Sequence, residues 1–166
     1  MPDDTAYDLL YRQEGYYWGV KPSAMCDRVI ALLAAGGRPP RLLDLGCGEG
    51  RNAVYFAQQG YEVTALDLSP AGLEKTRRLA AERGVRVATL HADIVHYRLE
   101  DTYDVLFSTG ALHYLPAEVR AARYADYKAH TAPGGLNAFS AFVAKPFIPP
   151  APDEEPASAH LYRSGE

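Results

Sequence analysis

The sequence predicts an α/β fold in which a mainly parallel sheet carries helices on both faces. Two observations carry that prediction: short apolar runs alternate with stretches of helical periodicity, and the first run ends in a glycine-rich turn that opens a helix. The 166 residues fit one domain with one sizeable core. Residues 1–21 read as an N-terminal arm or lid, rich in aromatic side chains (Tyr7, Tyr11, Tyr16, Tyr17, Trp18) and ending at the break Lys21-Pro22-Ser23. After Pro22, Met25, Val29, Ile30, Leu32 and Leu33 recur at helical spacing, and Gly36-Gly37 with Pro39-Pro40 end that helix. Leu42, Leu43 and Leu45 form the first strand, Val54-Tyr55-Phe56 open a helix that closes at Gly60, and Tyr61 to Leu66 alternates as a second strand ending at Asp67. Pro70 starts a helix running to about Arg83, followed by a third strand from Val85 to Leu90. Val105-Leu106-Phe107 reads as a fourth strand, Pro116 to His130 as a helix, and Leu136 to Val143 as a fifth strand after a Pro133-Gly134-Gly135 turn. The domain is thus expected over residues 22–145. Residues 146–166, with Pro146, Pro149, Pro150, Pro152 and Pro156 among Asp153, Glu154 and Glu155, read as a proline-rich acidic connector.

Composition narrows the partners. Seventeen Lys and Arg against 21 Asp and Glu give a net charge of -4, which leaves no electrostatic footprint for nucleic acid or an anionic membrane. A small-molecule substrate is the expectation. No apolar stretch approaches the roughly 18 residues of a membrane span, and no basic start precedes an apolar run with a cleavage site, so a cytoplasmic protein is expected. Cys26 sits in an amphipathic helix and Cys47 in the glycine loop, so no disulfide between them is expected. His91, His96, His130 and His160 show no metal-site spacing with Cys or carboxylates, and no metal is expected.

The glycine loop carries the chemistry. Asp44-Leu45-Gly46-Cys47-Gly48-Glu49-Gly50 lies where the first strand turns into a helix, the place where open α/β sheets bind ligands. Asp67 ends the second strand about 20 residues on, where a carboxylate can accept from both ribose hydroxyls of an adenosine; Ser69 is the better N-cap for the helix at Pro70 and leaves Asp67 free. Asp93-Ile94, after the third strand, pairs a carboxylate able to accept from an adenine amino group with an apolar cover for the ring. A dinucleotide site requires G-x-G-x-x-G so that a helix N-terminus faces pyrophosphate. Here Gly50 stands one place early and Arg51 occupies the third glycine's position. Asp44, two positions before the first glycine, repels pyrophosphate and suits a cationic ammonium. That charge logic favours S-adenosylmethionine.

With those residues in place, DLGCGEGRN at 44–52, YEVTALDLS at 61–69, HADI at 91–94 and DVLFSTGALHYL at 104–115 resemble the tellurite-resistance-type branch of class I S-adenosylmethionine-dependent methyltransferases. YYWG at 16–19, PGG at 133–135 and KPF at 145–147 fit the same branch. The loop is common to class I; GRN and KPF point to the branch. The resemblance covers nearly the whole chain and implies a Rossmann-like three-layer sandwich. It implies that Gly46, Cys47 and Gly48 line the methionine portion of the cofactor with Asp44 beneath, and that Arg51 and Asn52 belong to the cofactor site. Asp67, Leu68 and Ser69 then border the ribose and adenine, Asp93 and Ile94 the adenine, and Ser108 with Thr109 the sulfonium. Tyr17, Trp18 and Lys21 place the arm within reach of the cofactor carboxylate, with a surface arm and a solvated lysine as the alternative. The family's sheet ends in an antiparallel hairpin after the acidic connector, and this sequence has none. The fifth strand is therefore expected at an edge, in a truncated chain or covered by a homodimer partner.

Methyl transfer from a sulfonium is an in-line displacement governed by positioning, which supplies about 7–11 kcal/mol. A chalcogen oxyanion such as tellurite or selenite, or a small thiol, needs no strong base, in keeping with the lack of an acid-base cluster. His113 and Tyr114 are the candidates for lining the acceptor pocket, with His113 also able to take a proton; simple packing of His113 is the alternative. Two other readings stay open: a non-catalytic module binding S-adenosylmethionine or S-adenosylhomocysteine, and a nucleotide-dependent oxidoreductase.

Overall fold

A computed structural model of the chain describes residues 6–143. Helix α1 (Ala6–Tyr11) lies in the arm, and α2 (Ala24–Leu32) starts at Ser23, whose hydroxyl accepts from the Met25 amide. Then come β1 (Arg41–Leu45), α3 (Arg51–Gln58), β2 (Glu62–Asp67), α4 (Pro70–Glu82), β3 (Ala88–His91), β4 (Tyr103–Thr109), a 3-10 turn at Leu112–Tyr114, α5 (Ala117–Ala129) and β5 (Thr131–Ser140). The strands form one sheet in the order β3-β2-β1-β4-β5, every pair parallel.

Alternation along the central strands sorts the core onto two faces, as a period of two requires. Leu42, Val63, Ala65, Val105 and Phe107 face Cys26 and Val29 of α2, Ala53 and Phe56 of α3 and Leu73 of α4. Leu43, Leu45, Leu66 and Leu106 face the other way, onto Leu112, Leu115 and Tyr127 of α5. β1 and β4 are buried almost end to end, as expected of strands covered on both faces.

Three sequence expectations shift. Val85 and Val87 join the cluster of Val54, Leu79 and Ala80 between α3 and α4, so β3 begins only at Ala88, where pairing with Thr64 starts. β5 begins earlier than expected: Thr131 already pairs with Tyr103, and the next pair, Val105 with Leu136, skips ahead. The Pro133-Gly134-Gly135 segment is a bulge inside the strand, with Gly134 at φ 76°, rather than a turn before it. β5 then ends at Ser140, leaving Phe142 and Val143 exposed. The acidic connector, the KPF segment and His160 lie outside the described residues. Among the described residues, β5 pairs with β4 alone, no group of His, Cys, Asp and Glu can hold a metal ion, both cysteines are free, and no helix is long and apolar enough to cross a membrane.

Candidate functional site

β1 has β2 on one side and β4 on the other, so the strand order reverses there, and ligands in such sheets bind beyond the carboxyl ends at that reversal. A cleft of about 830 Å3 opens there, walled by residues that follow all five strands: Gly46 to Glu49, Asp67-Leu68, Ala92 to Val95, Thr109 to Ala111, and Ser140 to Phe142. That is near the top of the range for small-molecule sites, about 300–1,000 Å3.

The loop after β1 is held open by backbone geometry. Gly46 and Gly48 have φ 73° and 57°, values that L side chains rarely adopt. A Cβ on Gly46 would lie 2.3 Å from Cβ of Ala111, so only glycine lets the β1 loop and the segment after β4 approach this closely. The Gly46 and Cys47 amides donate to the Leu66 carbonyl (2.8 and 2.9 Å), and the Gly48 amide donates to Asp67 Oδ2 at 2.7 Å. Asp67 Oδ1 accepts from the Ser69 amide at 2.8 Å. Ser69 does cap α4, its hydroxyl accepting from Gly72, but Asp67 is not left free: it ties the loop to the next helix. A carboxylate has about four acceptor positions, so these bonds do not exhaust it, and Asp67 lines the cleft.

Asp44 lies beneath the loop, 1% exposed; the Ala53 amide faces its carboxylate, but too poorly aligned to make a geometric hydrogen bond, and among the described residues no side chain donates to either oxygen. Burial, and then the charge of Asp67, pushes its carboxyl up to about 7. Burial likewise raises Asp67, against the backbone amides of Ser69 and Gly48. A buried acid with no side-chain donor under a glycine cradle, with a second acid at the end of β2, fits a ligand carrying an ammonium at one end and vicinal hydroxyls at the other. Those are features of S-adenosylmethionine, with Leu68 and Ile94 as apolar cover. Cys47 lines the cleft, but burial holds its thiol well above the ordinary range, so it stands there as a small neutral wall residue.

The arm is fastened over this cleft at two points. Asp8 accepts from the Ser69 hydroxyl (2.5 Å) and the Ala71 amide (3.0 Å), at the start of α4, and pairs with Arg12 at 2.8 Å. Lys75, 7% exposed, pairs with loop residue Glu49 at 2.8 Å and donates to the carbonyls of Gln13 and Gly15, while Glu49 Oε2 accepts from the Trp18 amide. With every donor of the ammonium used, this buried pair meets the condition under which desolvation is offset. Asn52 closes another side: its amide donates to Thr109 Oγ1 (2.9 Å) and its carbonyl accepts from the Ser23 amide (2.8 Å).

Of the residues expected from sequence, Trp18, Gly46, Cys47, Gly48, Arg51, Asn52, Asp67, Leu68, Asp93, Ile94, Thr109 and Tyr114 line the cleft. Asp93 also does a turn residue's work, its oxygens meeting the Val95 amide and the His96 ring (2.8 Å each). Tyr17 and Lys21 are exposed and off its walls. Ser108 is buried, donating to the Leu45 carbonyl at 2.7 Å. His113 takes the packing alternative: it is 4% exposed, its Nδ1 has no partner among the described residues, and it is not on the cleft wall. Burial and the charge of Arg120 push its pKa down. The 3-10 turn sends His113 inward and presents its neighbour Tyr114 to the cleft. Tyr7, Tyr11, Glu49 and Phe142 were not anticipated as site residues; the tyrosine density of the arm was the available signal.

A family model described as a methyltransferase domain matches residues 42–135, more than half of the chain. The chain belongs to this family. It is a class I S-adenosylmethionine-dependent methyltransferase domain, and it is similar to the probable S-adenosyl-L-methionine-dependent methyltransferase TehB of Haemophilus influenzae, 30% identical over 111 residues that cover 67% of this chain and 39% of that one. The crystal structure of TehB from that organism superposes with a TM-score of 0.67 at 28% identity, over 77% of this chain and 43% of that one. Hemagglutinin 1 of Eikenella corrodens is 38% identical over 139 residues, 82% of this chain and 46% of that one. The 2-heptyl-1-hydroxyquinolin-4(1H)-one methyltransferase of Mycobacteroides abscessus is 28% identical over 132 residues, 78% of this chain and 58% of that one. The chain thus spans less than two thirds of each relative. Membership of the methyltransferase domain family removes the oxidoreductase alternative.

Proposed function

We propose that this methyltransferase domain moves the methyl group of S-adenosylmethionine to a small acceptor by in-line displacement. The observation that carries this reading is the glycine cradle at the end of β1, locked open by the approach of Ala111 and hydrogen-bonded to Asp67. Bound there, S-adenosylmethionine supplies an electrophilic methyl on a cationic sulfur. The chain's part is to bind and orient: Gly46 to Gly48 admit the methionine portion, Asp67 takes the ribose hydroxyls, Leu68 and Ile94 cover the adenine, and the docked arm excludes water. Among the described residues the carboxylates on the cleft wall are Glu49, Asp67 and Asp93, and no histidine joins them, which fits an acceptor that needs no strong base. Chalcogen oxyanions such as tellurite and selenite, and small thiols, are acceptors of that kind, and the Mycobacteroides relative is named for a hydroxylated heteroarene.

The test is incubation of the chain with S-adenosylmethionine labelled in its methyl group and a panel of those acceptors, measuring label in the product and S-adenosylhomocysteine released. Transfer in stoichiometric step with S-adenosylhomocysteine is the expected result. A sample that binds S-adenosylhomocysteine yet methylates no acceptor class would replace this reading with that of a non-catalytic binding module.

A further inference from the structure

We infer that the acceptor is an uncharged planar arene bearing a hydroxyl, rather than a chalcogen oxyanion; this rests on the methyl-transfer reading above. Charge comes first. The carboxylates on the cleft wall are Glu49, Asp67 and Asp93, and among the described residues Arg51 is the wall's cation. Its guanidinium donates to the Trp18 carbonyl at 3.1 Å, and Glu49 is already paired with Lys75, which leaves Asp67 and Asp93 facing an anion. A hydrated oxyanion entering here meets few donors to replace its water, a costly exchange.

Rings wall the cleft from the glycine loop, where a Cβ on Gly48 would meet Tyr11 Oη at 3.0 Å and Trp18 at 3.9 Å, across to Tyr114 and Phe142 on the β4 side. Trp18 and Tyr7 have centroids 6.3 Å apart, and Tyr7 meets Tyr114 edge-on at 6.0 Å. His113 lies behind, 4.2 Å from Tyr114 and 5.1 Å from Phe142. The hydroxyls of Tyr7 and Tyr114 bond each other at 2.9 Å, and Tyr11 Oη accepts from Trp18 Nε1 at 3.0 Å. Polar tips directed at one another leave ring faces and edges for the ligand, and aromatic pairs favour these offset and edge-on arrangements. Trp18 and Phe142 remain 42% and 59% exposed at the rim, in the manner of a ligand groove with apolar walls. Phe142 stands beside Gly110, which follows the last residue of β4.

In the step this implies, the arene's hydroxyl oxygen attacks the methyl carbon. The O–C bond forms as the S–C bond breaks, its electron pair returning to sulfur to give a neutral thioether, and the hydroxyl proton leaves to solvent water at the open rim. Arene, sulfonium and charge balance without a further reactant.

The experiment compares turnover by the whole chain at saturating S-adenosylmethionine with naphthol and hydroxycoumarin, against sodium tellurite and sodium selenite. The arenes are expected to show kcat/KM at least about tenfold higher. Phe142→Ala and Tyr7→Leu are expected to raise KM for the arenes about five- to tenfold, the scale of one lost aromatic contact, with S-adenosylhomocysteine affinity held in Phe142→Ala. The exposed position of Phe142 keeps that variant folded. Faster turnover of either oxyanion, arene kinetics unmoved by both variants, or no arene turnover by a protein that binds S-adenosylhomocysteine would overturn the arene assignment. Failure of the folded wild type to bind S-adenosylhomocysteine would instead remove the methyl-transfer reading beneath it.

Discussion

Gly46→Ala is expected to destabilise the domain by about 2–5 kcal/mol and to abolish S-adenosylhomocysteine binding. Two costs combine. The left-handed backbone at φ 73° costs an L residue roughly 1–2 kcal/mol, and a new Cβ placed 2.3 Å from the Ala111 Cβ forces overpacking worth about 1–3 kcal/mol. Gly60 provides the control, because it has φ 86° with nothing within 4 Å of its would-be Cβ: Gly60→Ala should show only the backbone cost. Urea melts of both variants, and of Gly46→Ala combined with Ala111→Gly, separate the two. The double variant should recover the packing part and retain the backbone part. Equal losses at Gly46 and Gly60 would mean that the loop and the β4 segment do not approach as described.

Asp44→Asn is expected to flatten the pH dependence of stability. The folded-state value of Asp44, about 7, lies above the ordinary carboxyl value of 3.8, so the native state holds this proton more tightly than the unfolded chain does. Its contribution is fully present below the unfolded value and is lost as the pH rises through about 7. The unliganded protein should therefore weaken across that window with a slope of up to about 1.4 kcal/mol per pH unit. The Asp44→Asn variant should lack that part of the slope. Burial raises Asp67 as well, so the wild-type-minus-variant difference, from melts at a series of pH values, isolates Asp44. An ammonium held near Asp44 favours its ionised form, so S-adenosylhomocysteine binding near pH 6 should release a proton in the wild type and less in the variant. Parallel stability curves for the two proteins would contradict the assignment of Asp44 as a buried acid with a raised pKa.

Much of this was legible in the sequence because the signals are local. The apolar runs of β1, β2 and β4, the Ser69-Pro70 start of α4 and the glycines after β1 each state their structure within a few residues. What was hidden depends on contacts far apart in the chain. Lys75 reads as one more solvated lysine on a helix, and only the docking of the arm, 60 residues earlier, reveals it as a clamp on Gly15 and Glu49. Asp8 caps a helix 61 residues away through Ser69. Pro133-Gly134-Gly135 has turn chemistry, yet the sheet absorbs it as a bulge because Thr131 finds Tyr103 first. His113 and Tyr114 are adjacent, and which of them faces the cleft is set by the 3-10 turn and by the space beneath it, neither of which a residue's identity discloses.

The central claim is that the cradle after β1 and the carboxylate ending β2 form one cofactor site. Calorimetric titration of S-adenosylhomocysteine into the wild-type chain and into Asp67→Asn, with melts to confirm that both are folded, tests it most directly. Wild-type binding with Kd on the order of micromolar, weakened at least about tenfold by Asp67→Asn, or about 1.4 kcal/mol, is the predicted result. Affinity unchanged by the substitution, or no binding by a folded wild-type chain, would contradict it.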